Sequence, residues 1–311
     1  MLEPAKGDIT NADDMLRVCQ GASVVINLVG IMHETKPNYT FDSVQHIGAK
    51  NVAKAAQHNN AQLVHISAIG ADASSDIPYN KSKGLGELAA RDSSPDAIIL
   101  RPSLVFGPED DFFNRFAKLA GFLPFMPVFG GGYTKFQPVY VWDVARAALL
   151  SVTGKHKGKT FELGGPAVYS YREMMQLMLS QAGIRRPIIS VPWAVGMIQG
   201  FFLEKLPLNL FTITRDQVRL LHYDNVVGPS SLGLGDLGIP GTAAEKILHT
   251  YLRKKDLTTP NKRTHRMQSQ DISQELDSIR SLKTFAGPRP NAPNLEKQLE
   301  YHMEPPSRSN K

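Results

Sequence analysis

Three polar residues have a spacing that suits chemistry on a carbonyl group. Ser67 ends an apolar run over residues 63–67, Tyr79 follows twelve residues later, and Lys83 lies four residues beyond Tyr79. Residues four positions apart share one face of a helix, so the phenol and the ammonium can reach the same atom. A nearby lysine lowers a tyrosine pKa from about 10 towards working pH, which predicts that Tyr79 acts as a general acid or base.

A Y-x-x-x-K pair alone arises often by chance, and its plain alternative is a capped helix that carries one surface lysine. The additional serine, at the end of a buried strand and followed by a further strand, makes a chance arrangement less frequent. In the resulting site Ser67 would orient the substrate oxygen, Lys83 would also hydrogen-bond a ribose, and a nicotinamide would supply the hydride.

Strands and helices alternate around these residues. Apolar, β-branched runs predict strands at 23–30, 63–67 and 97–104, the first of them buried on both faces. Apolar residues at helical spacing predict helices at 41–59 and 79–91. Because strands joined by long helices need crossover connections, this order favours a parallel sheet.

Beyond residue 107 the alternation becomes less regular. The predicted elements are a helix opened by acidic residues in 107–121, strands at 139–141, 161–163 and 188–191, and helices at 144–152 (capped by Asp143), 171–182, 216–221 and 243–252. The apolar stretch 193–211 is interpreted either as a core helix or as a patch that lies on a membrane or a partner.

The phosphate-binding turn that such a sheet normally carries is missing. The literal G-x-G-x-x-G of Gly233, Gly235 and Gly238 is closed by Pro240 and does not lead from a strand into a helix, so it is interpreted as a chance match. Residues 7–9 read as the end of a strand already within the alternation. The simplest interpretation is that the first βαβ unit lies upstream of Met1.

Composition and charge limit the functional classes. The chain has 311 residues, 42% of them hydrophobic, and one cysteine, Cys19, which excludes an internal disulfide framework and a multi-cysteine metal site. Residues 253–311 carry twelve Lys/Arg and seven Asp/Glu and so hold +5 of the formal charge of +6. A nearly neutral folded part argues against nucleic-acid binding. No apolar run is long enough to span a bilayer, and the first residues do not have the pattern of a secretory signal.

Several motifs carry a family resemblance. The segments GDI (7–9), VVINLVG (24–30) and RPSLVFGP (101–108), with the Ser67/Tyr79/Lys83 spacing, resemble the extended, atypical short-chain dehydrogenase/reductase superfamily. Four longer segments resemble, more narrowly, the nucleotide-holding accessory subunit of respiratory complex I and its bacterial homologues: FGPEDDFFNRFA (106–117), GGGYTKFQPVYVWDVA (130–145), FELGGP (161–166) and ITRDQV (213–218).

The resemblance implies a role for individual positions. It implies that Asp8 and Ile9 flank the adenine of bound NAD or NADP. Asn27, Leu28, Val29 and Gly30 would line the cofactor, and Pro102 and Ser103 would lie near the nicotinamide. Ser67, Tyr79 and Lys83 would form the catalytic-type triad, with Tyr79 and Lys83 also touching the cofactor. Because the Gly-rich turn is absent, we expect weak dinucleotide binding, and Leu104, where related epimerases carry Asn, argues against a sugar-nucleotide substrate.

The sequence therefore predicts an α/β protein with a Rossmann-like, doubly wound parallel sheet. We expect a dinucleotide-binding domain at 1–138 that lacks its first βαβ unit, a smaller C-terminal α/β lobe at 139–252, and a flexible, basic, Pro-rich tail at 253–311.

The leading functional hypothesis is a complex I accessory subunit on the matrix side of the mitochondrial inner membrane, with a mainly structural nucleotide. Its partners would be other complex I subunits or the membrane surface, and the alternative location is the membrane-associated bacterial cytoplasm. The competing hypotheses are a free NAD(P)-dependent oxidoreductase or epimerase, with a small or quinone-related substrate, and a binding protein without turnover.

Overall fold

The computed structural model describes residues 3–152, 155–203 and 214–252, and of these residues 8–252 belong to one unit. Residues 3–8 have no regular structure and residues 9–10 form a turn, so the strand end predicted at residues 7–9 is wrong. The predicted tail and the second half of the apolar stretch 193–211 lie outside the described residues.

Strands and helices alternate along this unit. The strands are β1 Val24–Asn27, β2 Gln62–Ile66, β3 Ile98–Pro102, β4 Val105–Phe106, β5 Met126–Phe129, β6 Lys135–Phe136, β7 Val139–Tyr140, β8 Thr160–Leu163, β9 Tyr169–Ser170 and β10 Ile188–Val191. The α-helices are α1 Ala12–Val18, α2 Gly48–His58, α3 Pro78–Ser93, α4 Phe113–Phe122, α5 Val141–Ser151, α6 Tyr171–Ala182, α7 Trp193–Leu203, α8 Arg215–Leu220 and α9 Ala244–Tyr251. A π-helical segment, Asp42–Ile47, runs directly into α2.

The central sheet is parallel and has the strand order β1-β2-β3-β8. Its register places Asn27 opposite His65, and His65 opposite Ile99. In a parallel sheet all carboxyl ends lie at one edge, which is where α/β proteins bind ligands. The predicted α/β, Rossmann-like class is confirmed, and the last residues of β1, β2 and β3 meet at the edge where the site residues were expected.

Strand β1 differs from its prediction. It lies at the border of the described sheet, and Val24 and Ile26 are 36% and 37% exposed, so the expectation of burial on both faces is wrong. An apolar, β-branched run indicates strand propensity, but it cannot show whether a strand is central or at an edge.

Two clusters of apolar side chains cover the two faces of the sheet. One contains Ile9, Leu63 and Ile99 with residues of α1 and α2, and the other contains Val64, Leu100 and Phe161 with residues of α5. A third cluster, around Phe113 and Met174, packs α4 against α6 and α9. Each fully buried side chain of this size contributes about 1.5–3 kcal/mol relative to its exposed state.

The predicted role of Asp143 is wrong. Helix α5 begins at Val141, so Asp143 lies within its first turn and does not precede it. Its carboxylate accepts hydrogen bonds from the Thr242 backbone N–H at 2.6 Å and from the Thr242 hydroxyl at 3.1 Å. Asp143 therefore ties the segment before α9 to α5. The domain boundary at residue 138 stays a prediction, and β8, which follows it, belongs to the central sheet.

Helix α7 presents apolar side chains to solvent. Val195, Ile198 and Phe201 are 48%, 60% and 40% exposed, while Gly196 and Gly200 face the interior. None of the described helices combines the length and the apolar character needed to cross a bilayer. The exposed side chains of α7 therefore form an apolar patch on the surface of the described residues.

Candidate functional site

The predicted triad lies where β2 ends and α3 begins. Ser67 follows the last residue of β2, and its backbone N–H donates to the Leu100 carbonyl at 2.7 Å, which keeps it at the carboxyl edge of the sheet. A loop then leads to Pro78, the first residue of α3, where its fixed φ suits the start of a helix. Tyr79 and Lys83 follow one turn apart on that helix.

Lys83 is buried, with 6% of its surface exposed. Its Nζ donates to the Ile66 carbonyl oxygen at 3.3 Å, and a Cβ added at Gly30 would lie 3.1 Å from Nζ. Burial lowers the pKa of Lys83 to about 8, although the charge of Glu87 acts in the opposite direction. The ammonium therefore sits between the end of β2 and the loop after β1.

Tyr79 is not activated in the way the sequence predicted. Burial raises the pKa of Tyr79 to about 12. The phenol ring packs edge-on against Phe41, with ring centroids 5.8 Å apart. Because burial disfavours the phenolate, the pKa of Tyr79 is raised in this structure and the expected lowering is wrong.

A buried histidine that the sequence analysis did not select lies beside the triad. The Asn27 Oδ1 accepts from the Val29 backbone N–H at 3.1 Å, which directs its amide nitrogen to the His65 Nδ1 at 3.1 Å. His65 is 2% exposed, and burial followed by the Lys83 charge lowers its pKa to about 3. The ring is therefore neutral at physiological pH. Its position inside the apolar run of β2 was a signal, because a buried polar residue needs partners.

A relay of side chains joins the loop after β1 to the start of α3. Gln45, in the π-helical segment, accepts from the Ile31 backbone N–H at 3.4 Å and donates to the Ser82 hydroxyl at 2.8 Å. The Ser82 hydroxyl donates in turn to the Tyr79 carbonyl at 2.9 Å. π-Helical turns occur frequently at functional sites, and this one sets Gln45 against both walls of the site.

The positions expected near the adenine and along the cofactor differ in accessibility. The Asp8 carboxylate accepts from the Thr10 N–H, the Thr10 hydroxyl and the Tyr39 hydroxyl, and these bonds lower its pKa. The Ile9 side chain is buried in the core. Past the end of β1, Leu28 and Val29 are 71% and 46% exposed and Gly30 is also exposed, so they form an open rim above Asn27.

The two residues expected near the nicotinamide are held at the end of β3. The Pro102 carbonyl accepts from the Ile69 N–H at 3.0 Å. The Ser103 hydroxyl lies 2.6 Å from the Asn225 side-chain oxygen and 2.9 Å from the Asn225 carbonyl oxygen. The amide nitrogen of Asn225 donates to the Ile69 carbonyl at 3.3 Å. Asn225, which the sequence analysis missed, thus fixes the loop that follows Ser67.

The chain is similar to proteins of known family and fold. Residues 2–164, just over half of it, match the model of the NAD dependent epimerase/dehydratase family. The chain belongs to this family. The fold is similar to that of UDP-glucose 4-epimerase from Thermotoga maritima, with a TM-score of 0.59 and 16% sequence identity. The matched region covers 81% of this chain and 82% of the epimerase.

The chain is also similar in sequence to two mitochondrial proteins of the same name. NADH dehydrogenase (ubiquinone) 1 alpha subcomplex subunit 9, mitochondrial, from Arabidopsis thaliana is 33% identical over 247 residues, 76% of the chain. The protein of the same name from Rattus norvegicus is 32% identical over 279 residues, 89% of the chain. The chain spans 61% of the Arabidopsis protein and 71% of the rat protein.

The site of this family member has the features of a ligand-binding cradle. Within the described residues, the Ser67 hydroxyl and the His65 Nε2 are buried and have no hydrogen-bond partner. Buried polar atoms are normally paired, so these two mark a place where a ligand would complete the bonding. Gly30 leaves backbone accessible beside the Lys83 ammonium, where a side chain would be crowded. These residues fit a nucleotide cofactor of the kind the family name states.

Lys83→Met is expected to stabilise the folded chain by about 2–3 kcal/mol near neutral pH. The pKa of Lys83 falls from 10.5 to about 8 on folding, so the folded state binds fewer protons over that interval. The wild-type chain therefore has its full free energy of unfolding above the unfolded pKa of Lys83. It loses the part that depends on neutral Lys83 as the pH falls through about 8. Urea unfolding at neutral and strongly alkaline pH should show the gain disappearing at alkaline pH. Lys81→Met, an exposed change on the same helix, should show no gain at either pH.

Proposed function

We propose that this chain is an accessory subunit of mitochondrial respiratory complex I, on the matrix side of the inner membrane, and that its nucleotide has a mainly structural role. The observation that carries the proposal is the likeness to complex I subunits over 76% and 89% of the chain at more than 30% identity. It runs beyond the nucleotide-binding family segment, which ends at residue 164, into the C-terminal residues. A shared binding fold alone would not extend that far.

The nucleotide would lie along the carboxyl edge of the central sheet. Lys83 would donate to its ribose, the loop 28–30 would pass over it, and the Ser67 hydroxyl and His65 Nε2 would receive their missing partners. Bound NAD or NADP supplies a nicotinamide ring that can accept or give a hydride. The described residues do not favour one of the two cofactors, and the weak binding expected from the absent Gly-rich turn stays a prediction.

The environment of Tyr79 supports a structural role for the nucleotide. A general acid or base works best when its pKa lies near the operating pH, and burial moves the pKa of Tyr79 away from that range, to about 12. The Lys83 ammonium donates to the Ile66 carbonyl at 3.3 Å and has two further N–H groups, which suit the ribose of a nucleotide. The site is thus better suited to holding a cofactor than to moving a proton.

The exposed apolar face of α7 supports attachment to a larger assembly. Val195, Ile198 and Phe201 lie on one side of this helix, and contiguous exposed apolar side chains mark interaction surfaces. In this proposal that face contacts neighbouring subunits or the membrane surface. The bound nucleotide stabilises the loops at the carboxyl edge of the sheet.

Affinity purification of the tagged chain from detergent-solubilised mitochondrial membranes tests the proposal. We expect complex I subunits to co-purify with the wild-type chain and, in equal amount, with Tyr79→Phe, which removes only a hydroxyl. A patch variant, Ile198→Glu, should recover less of the complex than Gln199→Glu, its neighbour on the same helix. Absence of complex I subunits from the wild-type preparation would refute the proposal.

A second candidate function is a free oxidoreductase or epimerase, favoured by the convergence of Ser67, Tyr79 and Lys83 at one edge of the sheet. It predicts NAD(P)H turnover with small carbonyl or quinone substrates, and a loss of that rate in Tyr79→Phe. An unchanged rate in that variant would exclude this mechanism.

A further inference from the structure

A basic cleft is lined by residues between 172 and 188, which follow the residues of the candidate nucleotide site in the sequence. It has a volume of about 560 Å³ and is formed by one side of α6 and the segment that connects α6 to β10. Arg172, Arg185 and Arg186 line it together with Gln176. Its volume falls within the range of small-molecule sites, roughly 300–1,000 Å³.

Two of the three arginines are held in place by backbone oxygens. The Arg172 Nε donates to the Gly131 carbonyl at 3.0 Å, and the Arg186 Nε donates to the Ala120 and Leu123 carbonyls at 3.0 and 2.8 Å. The Arg172 Nη1 also donates to the Ile188 carbonyl at 3.5 Å, and the Arg186 Nη1 donates to the Arg185 carbonyl at 3.0 Å. These bonds fix the position of each guanidinium and leave its Nη2 group for a ligand. Arg185 is exposed and completes the group.

The positive charge of the cleft is not neutralised by carboxylates. No acidic residue is found among its lining residues, and over the described residues none of the three arginines takes part in an ion pair. A carbonyl oxygen accepts a hydrogen bond but carries no net charge. Three cations around one concavity therefore produce a field that attracts an anion.

The floor of the cleft is apolar. Leu179, Ile184 and Ile188 contribute to it, and each is partly or fully buried. A ligand that fills the cleft therefore needs a charged group at the arginines and an apolar part against this floor. The planar fork of arginine matches phosphate oxygens with two parallel hydrogen bonds, which makes it suited to phosphate recognition.

We propose that this cleft binds a phosphate-bearing ligand that has an apolar portion. Arg172 and Arg186, already oriented by backbone carbonyls, hold the phosphate with little loss of side-chain entropy, and Arg185 closes over it. The chemistry is shared by a phospholipid headgroup and by a free organic phosphate. The inference does not depend on the proposed function, because it concerns the isolated chain.

A phospholipid is one source because exposed apolar residues follow the cleft along the chain. Strand β10 leaves the cleft at Ile188, its next residue Ile189 is 44% exposed, and Pro192 leads directly into the exposed face of α7. A free phosphate would use only the arginines. The two sources can be separated by presenting the phosphate with and without a bilayer.

Gln176→Glu tests the site and keeps the arginines that donate hydrogen bonds to backbone carbonyls. Gln176 is exposed on α6, so a carboxylate there adds a negative charge to the cleft and leaves the core unchanged. Gln181→Glu is the matched control, with the same change of charge on the same helix outside the cleft. Calorimetric titration with glycerol 3-phosphate and sedimentation with phosphatidylcholine vesicles, with and without phosphatidylglycerol, are measured on the full chain.

We expect Gln176→Glu to bind about tenfold more weakly than both wild type and Gln181→Glu, because the added carboxylate repels the phosphate and competes for the arginines. Weakening in the vesicle assay identifies a lipid source, and weakening only with glycerol 3-phosphate identifies a free phosphate. The proposal is overturned if the two glutamate variants behave alike in both assays, or if wild type binds neither probe. Because the basic tail is identical in all three proteins, its own attraction to anionic vesicles cancels in the comparison.

Discussion

Gly86→Ala is expected to destabilise the folded chain by about 3 kcal/mol, at the upper end of the range for overpacking. Gly86 lies on the buried side of α3, where that helix crosses the π-helical segment. A Cβ built there would lie 2.2 Å from the backbone oxygen of Gln45, and 3.4 Å from the Cβ of Ala49. Because the near atom belongs to the backbone, two helices must separate. The gain in helix propensity, about 1 kcal/mol, offsets only part of this cost.

The same change should disturb the nucleotide site. Displacing the Gln45 backbone moves its side chain, which donates to Ser82 and accepts from Ile31. We therefore expect weaker NAD(P) binding together with the lower urea midpoint. Gly121→Ala on α4 is the control, because open space surrounds Gly121 and the change should be neutral or slightly stabilising. Equal urea midpoints for the two alanine variants would contradict the described packing of α3.

Acidification is expected to destabilise the chain through His65 by roughly 4 kcal/mol between its unfolded and folded pKa values. The pKa of His65 falls from 6.5 to about 3 on folding, so the unfolded state binds more protons over that interval. Its contribution to stability is complete above about pH 6.5 and is lost progressively as the pH falls towards 3. The cause is burial of a ring that would have to carry a charge beside Lys83.

His65→Gln isolates this contribution. Glutamine does not titrate, and its side-chain oxygen can still accept from the Asn27 amide. We expect the variant to lose about 2–3 kcal/mol less than wild type when the pH is lowered from about 6.5 to about 4.5. His58→Gln, an exposed change at the end of α2, should follow the wild-type curve. Parallel curves for wild type and His65→Gln, from urea unfolding at each pH, would show that His65 is not buried neutral.

Much of the fold was predictable because local patterns determine it. Helix α6 and strand β10 have the predicted bounds, and β2, β3 and α3 lie within one or two residues of theirs at each end. Periodicity and capping residues act over a few positions and can be read directly. The position of β1 at the sheet border depends on which strands pair with it, and no residue within β1 carries that information.

The elements that carry the candidate site were predictable, and its electrostatics less so. Ser67 follows β2, and Tyr79 and Lys83 lie on α3, while their role in binding or catalysis stays a prediction. The direction of the Tyr79 pKa shift depends on where the Lys83 ammonium points and on how much water reaches the phenol, which spacing does not determine. Gln45 and Asn225 were missed because their partners are distant in sequence, 37 positions away for Ser82 and 122 for Ser103.

The border position of β1 has a consequence for how the chain behaves in concentrated solution. A strand at a sheet edge offers a row of backbone groups to any extended segment that approaches, and apolar side chains strengthen such pairing. Val24 and Ile26 are partly exposed, and charged residues, which commonly block this process, are absent from β1. This edge can therefore pair with the edge of another copy, and any strand that covers it protects the protein from such association.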